Sequence, residues 1–203
     1  MSSHSTSAGV LNWRNGLPAL TGRLVTLREP VPQDLAALVS LLSLSDATRF
    51  GLDDFTSDAD ARRLIDAAAR DRAAGLAFTY VVTAGGANSV VGLIQMRRLD
   101  PAFEGAEWEC TLAPASRGTG VFADAAQLAI SFAFESAGVH RLEARVVVDN
   151  GRANGALRKL GAVHEGILRR AIRRRGAYFD QALWALLKDD QGNQRARDGR
   201  SVH

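Results

Sequence analysis

Arg117-Gly118-Thr119-Gly120 stands between a segment of strand composition and a long apolar run, and that placement gives the four residues a chemistry. Glycines at 118 and 120 keep side chains out of the way of a ligand. The helix start that follows leaves several amide N–H groups without intrahelical partners, and Arg117 adds a full positive charge. With the helix dipole, about half a charge at its N-terminus, Arg117, Gly118, Thr119, Gly120, Val121 and Phe122 make a site for phosphate or diphosphate. A plain tight turn is the competing reading; the arginine and the apolar helix behind the loop favour the anion. Upstream, Glu107 and Glu109 stand two apart on one predicted strand, so both carboxylates share a face while Trp108 and Cys110 take the other. A carboxylate so placed can serve as a general base, and two solvated glutamates are the alternative. Downstream, Asn150 and Asn154 open a second helix, where Asn is also a good cap.

The elements that must position these groups follow from periodicity. Glu107–Leu112 alternates as a strand, and Pro114 stops it because it has no amide to donate. Ala125, Ala126, Leu128, Ala129, Ile130, Phe132, Ala133 and Phe134 wrap most of a helix, which is therefore largely buried. Arg141–Val148 is the next strand, reached by a crossover and so parallel to the Glu107 strand. Thr21–Arg28 is an amphipathic first strand. Two amphipathic helices start near Gln33 and near Ser57 or Asp58, with Phe50, Gly51 and Phe55 in the connection. Ala77–Val82 and Val90–Met96 form a hairpin around Gly85-Gly86-Ala87-Asn88, and with the Glu107 strand they make a meander. Val163–Ile172 and Tyr178–Leu187 close the chain as a hairpin around Arg173-Arg174-Arg175-Gly176. Residues 1–16 and 189–203 are small, polar and predicted disordered, which leaves one domain over 17–188.

The chain has 203 residues with 46% hydrophobic content, enough for one substantial core. Its 25 basic and 22 acidic residues leave a net charge of +3, which does not mark a nucleic-acid binder. The arginines at 169, 170, 173, 174 and 175 lack interleaved aromatics and read as a solvated hairpin, with an acidic acceptor or ribosomal surface as the alternative. A single cysteine excludes an internal disulfide framework, and no Cys/His spacing suggests a metal. His140 and His164 fall in strand patterns as core or edge residues. With neither a secretory signal nor a membrane span in the sequence, a cytoplasmic protein is expected.

Gly118-Thr119-Gly120-Val121-Phe122-Ala123 also satisfies the dinucleotide fingerprint, with Asp149 as a distant ribose acid. That reading is disfavoured because Pro114–Arg117 separate the strand from the loop and no second βαβ unit follows. The ordered set of the glycine loop after a strand, the strand RLEARVVV, Asn150-Gly151-Arg152-Ala153-Asn154, Leu160-Gly161-Ala162 and Glu165–Arg169 instead resembles the GNAT family of acyl-CoA N-acyltransferases, in the branch of ribosomal-protein N-terminal acetyltransferases. The resemblance spans roughly Leu20 to Leu187. It implies an α+β, three-layer fold: a mixed, mostly antiparallel sheet of about seven strands between helices, with a splay between the fourth and fifth strands.

The resemblance further implies acetyl-CoA as cosubstrate, an amine acceptor, and transfer by direct attack on the thioester. Arg117 to Phe122 would cradle the diphosphate, although Phe122 replaces the motif's small residue. The pantetheine arm would lie along Cys110-Thr111-Leu112 like an added strand, with the Leu112 amide meeting the oxyanion. Glu109, or Glu107 behind it, would be the base, and Asn150 and Asn154 would bond the cofactor. The family's Tyr and Ser acid positions hold Leu157 and Ala153, which keeps open a non-catalytic acyl-CoA-binding domain of the same fold. The terminal hairpin offers a surface for a homodimer.

Overall fold

Val25-Thr26-Leu27-Arg28 buries Val25 and Leu27 and leaves Thr26 and Arg28 half-buried, the alternation of a strand with one face on a core. The computed structural model describes residues 12–43, 57–84, 89–174 and 176–190. Its strands are β1 (Leu20–Thr21), β2 (Val25–Arg28), β3 (Ala77–Ala84), β4 (Ser89–Arg98), β5 (Gly105–Leu112), β6 (Arg141–Val147), β7 (Val163–Arg174) and β8 (Ala177–Leu187). Its principal helices are α1 (Leu35–Leu42), α2 (Asp58–Ala73), α3 (Val121–Glu135) and α4 (Gly151–Lys159).

The strands form one eight-stranded sheet in the order β1-β2-β3-β4-β5-β6-β8-β7. Neighbours are antiparallel except β5 and β6, which pair in parallel through Gly105↔Arg141, Ala106↔Leu142 and Glu107↔Glu143. No ladder pair joins them beyond those residues, although β5 continues to Leu112 and β6 to Val147. The mixed, mostly antiparallel sheet is as expected. Its single parallel pair sits beside an antiparallel meander, which is not the repeated βαβ arrangement of a dinucleotide fold.

The eighth strand comes from a break in the expected first one. Thr21–Arg28 is not continuous: Gly22 N–H donates to Val25 O at 2.8 Å, and the chain folds back so that Leu20 faces Leu27. The cause lies in α3, where the Asp124 carboxylate accepts the Leu24 and Val25 amides at 2.6 and 3.2 Å. A Cβ on Gly22 would stand 2.5 Å from that carboxylate, so only glycine fits the turn.

Helices cover both faces of the sheet. On one, α3 presses Ala125, Ala129, Ile130 and Phe132 against Leu27, Phe78, Tyr80, Met96 and Leu142, with Leu157 of α4 in the same core. Phe132 meets Phe78 and Tyr80 edge-on at 5.3 and 5.7 Å. On the other face, Leu38, Leu41 and Leu42 of α1 and Ala61 of α2 pack on Val81 and Leu93. Ser57 starts α2 with a capping box, its hydroxyl accepting from the Asp60 amide while the Asp60 carboxylate accepts the Ser57 amide.

The expected disorder of residues 1–16 does not hold from Asn12 onward. Trp13 is 6% exposed and belongs to the main core, 5.5 Å from Phe78 and 5.2 Å from Phe103. A large aromatic can bring enough apolar area to order a short polar segment around it. Residues 1–11 and 191–203, the loop with Phe50, Gly51 and Phe55, the Gly85–Asn88 turn, and Arg175 lie outside the described residues.

Candidate active site

Where β5 and β6 cease to pair, a cleft of about 730 Å³ begins. Trp108 to Leu112 line it from β5, Ala144 to Val147 from β6, Arg117, Gly118 and Gly120 from the loop, Phe122 from the first turn of α3, and Asn150 and Ala153 from the start of α4. The volume is that of a small-molecule site.

The direction of the β5 main chain follows from two bonds. Ala113 N–H donates to Val91 O at 2.8 Å, and Gly105 O accepts from Leu99 N–H at 2.8 Å, so the odd-numbered residues of β5 turn their peptide groups toward β4. Alternation then turns the N–H and C=O of Trp108, Cys110 and Leu112 toward β6, into the cleft. Arg117 donates to the Leu112 carbonyl at 3.3 Å. Thr111 is a correction: its main-chain groups belong to the β4 ladder, so only its side chain is available to the cleft. Leu112 is held from behind, because Gly92 on β4 leaves space that a Cβ would close to 2.3 Å from Leu112 Cδ2.

At the other end, Gly118 and Gly120 both adopt left-handed backbone, with φ of 77° and 88°. A Cβ on Gly118 would meet nothing within 4 Å, so the loop opens onto free space. The first helical bond of α3 runs from Asp124 N–H to Gly120 O, leaving the Val121, Phe122 and Ala123 amides without intrahelical acceptors. Phe122 stacks on Trp108 at 6.5 Å, so its ring lines the cleft wall beside its own amide. Val121 sends its side chain into the core, and the Thr119 hydroxyl, outside the cleft lining, donates to Ser116 O at 2.8 Å.

Asn150 lines the cleft and caps α4 through its Oδ1, which accepts from Ala153 N–H at 3.2 Å. Asn154 does not line it. Its amide nitrogen donates to the carbonyls of Val147, Val148 and Asn150, and its oxygen accepts from Trp184 Nε1 at 2.8 Å, which occupies the side chain in joining α4 to β6 and β8.

Of the two glutamates only Glu109 lines the cleft. Its surface remains open to solvent, yet protein crowds it on most sides. That desolvation raises its carboxyl pKa; Arg97 pulls it back, Glu107 raises it further and Arg174 lowers it. Glu107 instead faces Arg145, 3.8 Å away. Cys110 packs its side chain against the main core, and burial, with the Glu109 charge, pushes its thiol up to about 12. It stays protonated at neutral pH and acts as a packing residue. Leu157 and Ala153 both line the cleft as apolar wall.

Lys159 also lines the cleft, as do Arg145 and Arg152, which sequence reasoning did not single out. Arg145 had a signal in the alternation of β6, and Arg152 in its place just after the Asn150 cap. Arg158 lies over the Trp184 ring at 5.7 Å.

A strand edge with free amides at one end of a cleft and a glycine-rich helix start at the other fits an elongated ligand that carries a diphosphate, which is the shape of an acyl-CoA. The fold is that of CoA-dependent acetyltransferases: Mycobacterium smegmatis RimJ in complex with CoA-disulfide superposes with a TM-score of 0.77 over 88% of this chain and 90% of that chain at 20% identity. The acetyltransferase (GNAT) domain matches residues 24–163, and the chain belongs to that family. Among relatives, Bacillus subtilis (strain 168) YoaA, an uncharacterized N-acetyltransferase, is 25% identical over 83% of this chain and 95% of its own length. The Escherichia coli (strain K12) ribosomal-protein-serine acetyltransferase is 29% identical over 51% of this chain and 58% of its own. The chain is an N-acetyltransferase and acetyl-CoA is its cosubstrate. Among the described residues no helix is long and apolar enough to cross a membrane.

Proposed function

We propose that the chain transfers an acetyl group to a primary amine, either a protein N-terminus or a small-molecule amine, by direct attack on the thioester. Acetyl-CoA supplies an activated acyl carbon, so the chain has to bind, orient, hold charge and move one proton. Arg117 and the amides from Gly118 to Phe122 hold the diphosphate. The Cys110 main chain aligns the pantetheine arm, with the Thr111 side chain and Asn150 beside it. Leu112 N–H faces the developing negative charge on the carbonyl oxygen. Glu109 takes the proton of the acceptor ammonium, directly or through water, and Glu107 next to it keeps the local field negative. Ala153 and Leu157 carry no proton to give, so the leaving sulfur is protonated by water or by the product amine.

The observation that supports this most is the cleft that opens where β5 and β6 stop pairing, lined by the outward-facing β5 edge from Trp108 to Leu112 and by Gly118 and Gly120 of the left-handed loop. Protein N-termini are the first acceptors to test, because relatives and neighbours include ribosomal-protein acetyltransferases. The lone cysteine suits a cytoplasmic place of action. Free-thiol release from acetyl-CoA over a panel of N-terminal peptides, amino sugars and small amines tests the proposal. We expect release above the hydrolytic background with at least one amine. Tight acetyl-CoA binding with no release for any amine would contradict it and favour the binding-domain alternative.

A further inference from the structure

Two strands that leave their ladder together present their next side chains to the same gap. β5 and β6 pair in parallel as far as Glu107↔Glu143, so Glu109 and Arg145, two residues farther along each strand, stand across from one another where the pairing has ceased. Both line the cleft. They also share a face of the sheet, because alternation puts them with Glu107 and Glu143, whereas Trp108 stacks on Phe122 of α3 and Ala144 lies in the main core. On the face of Glu109 and Arg145, α1 and α2 pack farther along the sheet, on Val81 of β3 and Leu93 of β4.

Arg145 is exposed, and its contacts among the described residues are long. Its Nε lies 3.8 Å from the Glu107 carboxylate and its Nη2 3.5 Å from that of Glu143, whereas a charge-assisted bond closes to about 2.8 Å. Glu143 is also shared, since Arg141 donates to it at 3.1 Å and to both oxygens of Glu165 at 2.9 and 2.5 Å. The last ladder pair thus steadies the Arg145 guanidinium from the closed end of the gap without saturating its fork of donors. We propose that Arg145 is a specificity-determining residue for acetyl transfer: it bonds a carbonyl or carboxylate oxygen on the carbon next to the amine-bearing carbon of the acceptor, while the amine is presented to Glu109.

The proposal rests on the reading of Glu109 as the base and gives that reaction its acceptor class. Paired strands stand about 5 Å apart, and the spacing grows where they diverge, so a carboxylate and a guanidinium on the two lips suit an amine with an oxygen close by. An α-amino acyl group has that form. Its oxygen is the first carbonyl of a peptide or the carboxylate of a free amino acid, and a guanidinium recognises both. The other cations of the cleft serve a different ligand: Arg152 and Lys159 come from α4, which packs on the opposite face through Leu157, and Arg117 comes from the diphosphate loop. Arg145 comes from the face of Glu109.

The test compares wild type with Arg145→Gln on trialanine, L-alanine and isopropylamine, the last of which keeps the amine-bearing carbon and lacks the oxygen. We expect the better of the two oxygen-bearing acceptors to lose about 10- to 100-fold in kcat/KM, the reach of one charged hydrogen bond, chiefly through KM, while isopropylamine changes by less than about threefold. Whichever acceptor responds names the source, a peptide N-terminus or a free amino acid. Arg145→Lys should recover part of the loss, because an ammonium keeps the charge without the fork. Equal losses on every acceptor, no loss on any, or turnover confined to amines without such an oxygen would overturn the proposal, and the last of these would leave acetyl transfer itself intact. If wild type releases no thiol with any amine, acetyl transfer fails and binding decides about Arg145. Its Nε–H resonance in the CoA complex, assigned by difference from Arg145→Lys, should shift on adding trialanine or L-alanine and stay with isopropylamine; a resonance that moves with neither oxygen-bearing probe overturns the proposal.

Discussion

At Gly120, a φ of 88° and a Leu24 methyl carbon 3.2 Å from where a Cβ would sit leave little tolerance for a side chain. Gly120→Ala carries that strain alone, about 1 to 2 kcal/mol. Gly120→Glu adds a carboxylate among amides that serve an anion. Titration calorimetry should show CoA binding weakened in the first variant and lost in the second, with circular dichroism confirming that both remain folded. Equal affinities in the two would remove the electrostatic reading of the loop. For Glu109→Gln, steady-state kinetics should show kcat/KM for the amine falling about 100-fold while KM for acetyl-CoA holds, the usual reach of a general base. The loop was legible because Gly and Arg declare their use by type. Thr111 was not: which peptide groups of a strand face a cleft depends on its register with the neighbour, and only the β4 pairing fixes that parity.

At the level of elements, α3, the meander and the crossover to β6 could be read from apolar periodicity. The break between β1 and β2 could not, because it is imposed by Asp124 from 100 residues away. The place of Asn154 at a helix start reads as a cap, and the resemblance implies a bond to the cofactor; neither shows that the Trp184 indole, distant in sequence, donates to its oxygen. Asn154→Ala should therefore lower the melting temperature, at a cost of about 1 to 3 kcal/mol for the stranded indole N–H, with little direct effect on CoA affinity in the folded protein. Gly92→Ala tests the support of Leu112. Its Cβ would lie 2.8 Å from Thr111 O as well as against the Leu112 side chain. We expect a loss of about 1 to 3 kcal/mol in denaturant unfolding and a lower kcat, because the strand that carries the Leu112 amide must shift.

Across the whole molecule, the buried Asp34 joins the end of β2 to the start of α1. Burial works against its charge, but the Arg28 guanidinium at 2.7 Å and the Val31 amide outweigh it and hold the carboxyl below the usual range. A depressed folded pKa means that the stabilisation is fully present above the unfolded value, about 3.9, and is lost as pH falls through the lower folded value. Asp34→Asn should thus cost about 2 to 3 kcal/mol at neutral pH, with the gap to wild type closing below about pH 4 in urea unfolding. The same long-range assembly sets the active cleft, which needs β5, β6, the loop before α3 and the start of α4 at once. A crystal structure with CoA bound tests that assembly most directly. We expect the diphosphate on the amides of Gly118 to Ala123 and the sulfur beside Leu112 N–H, with Glu109 facing the acceptor side; CoA bound elsewhere, or a diphosphate that makes no contact with this loop, would contradict it.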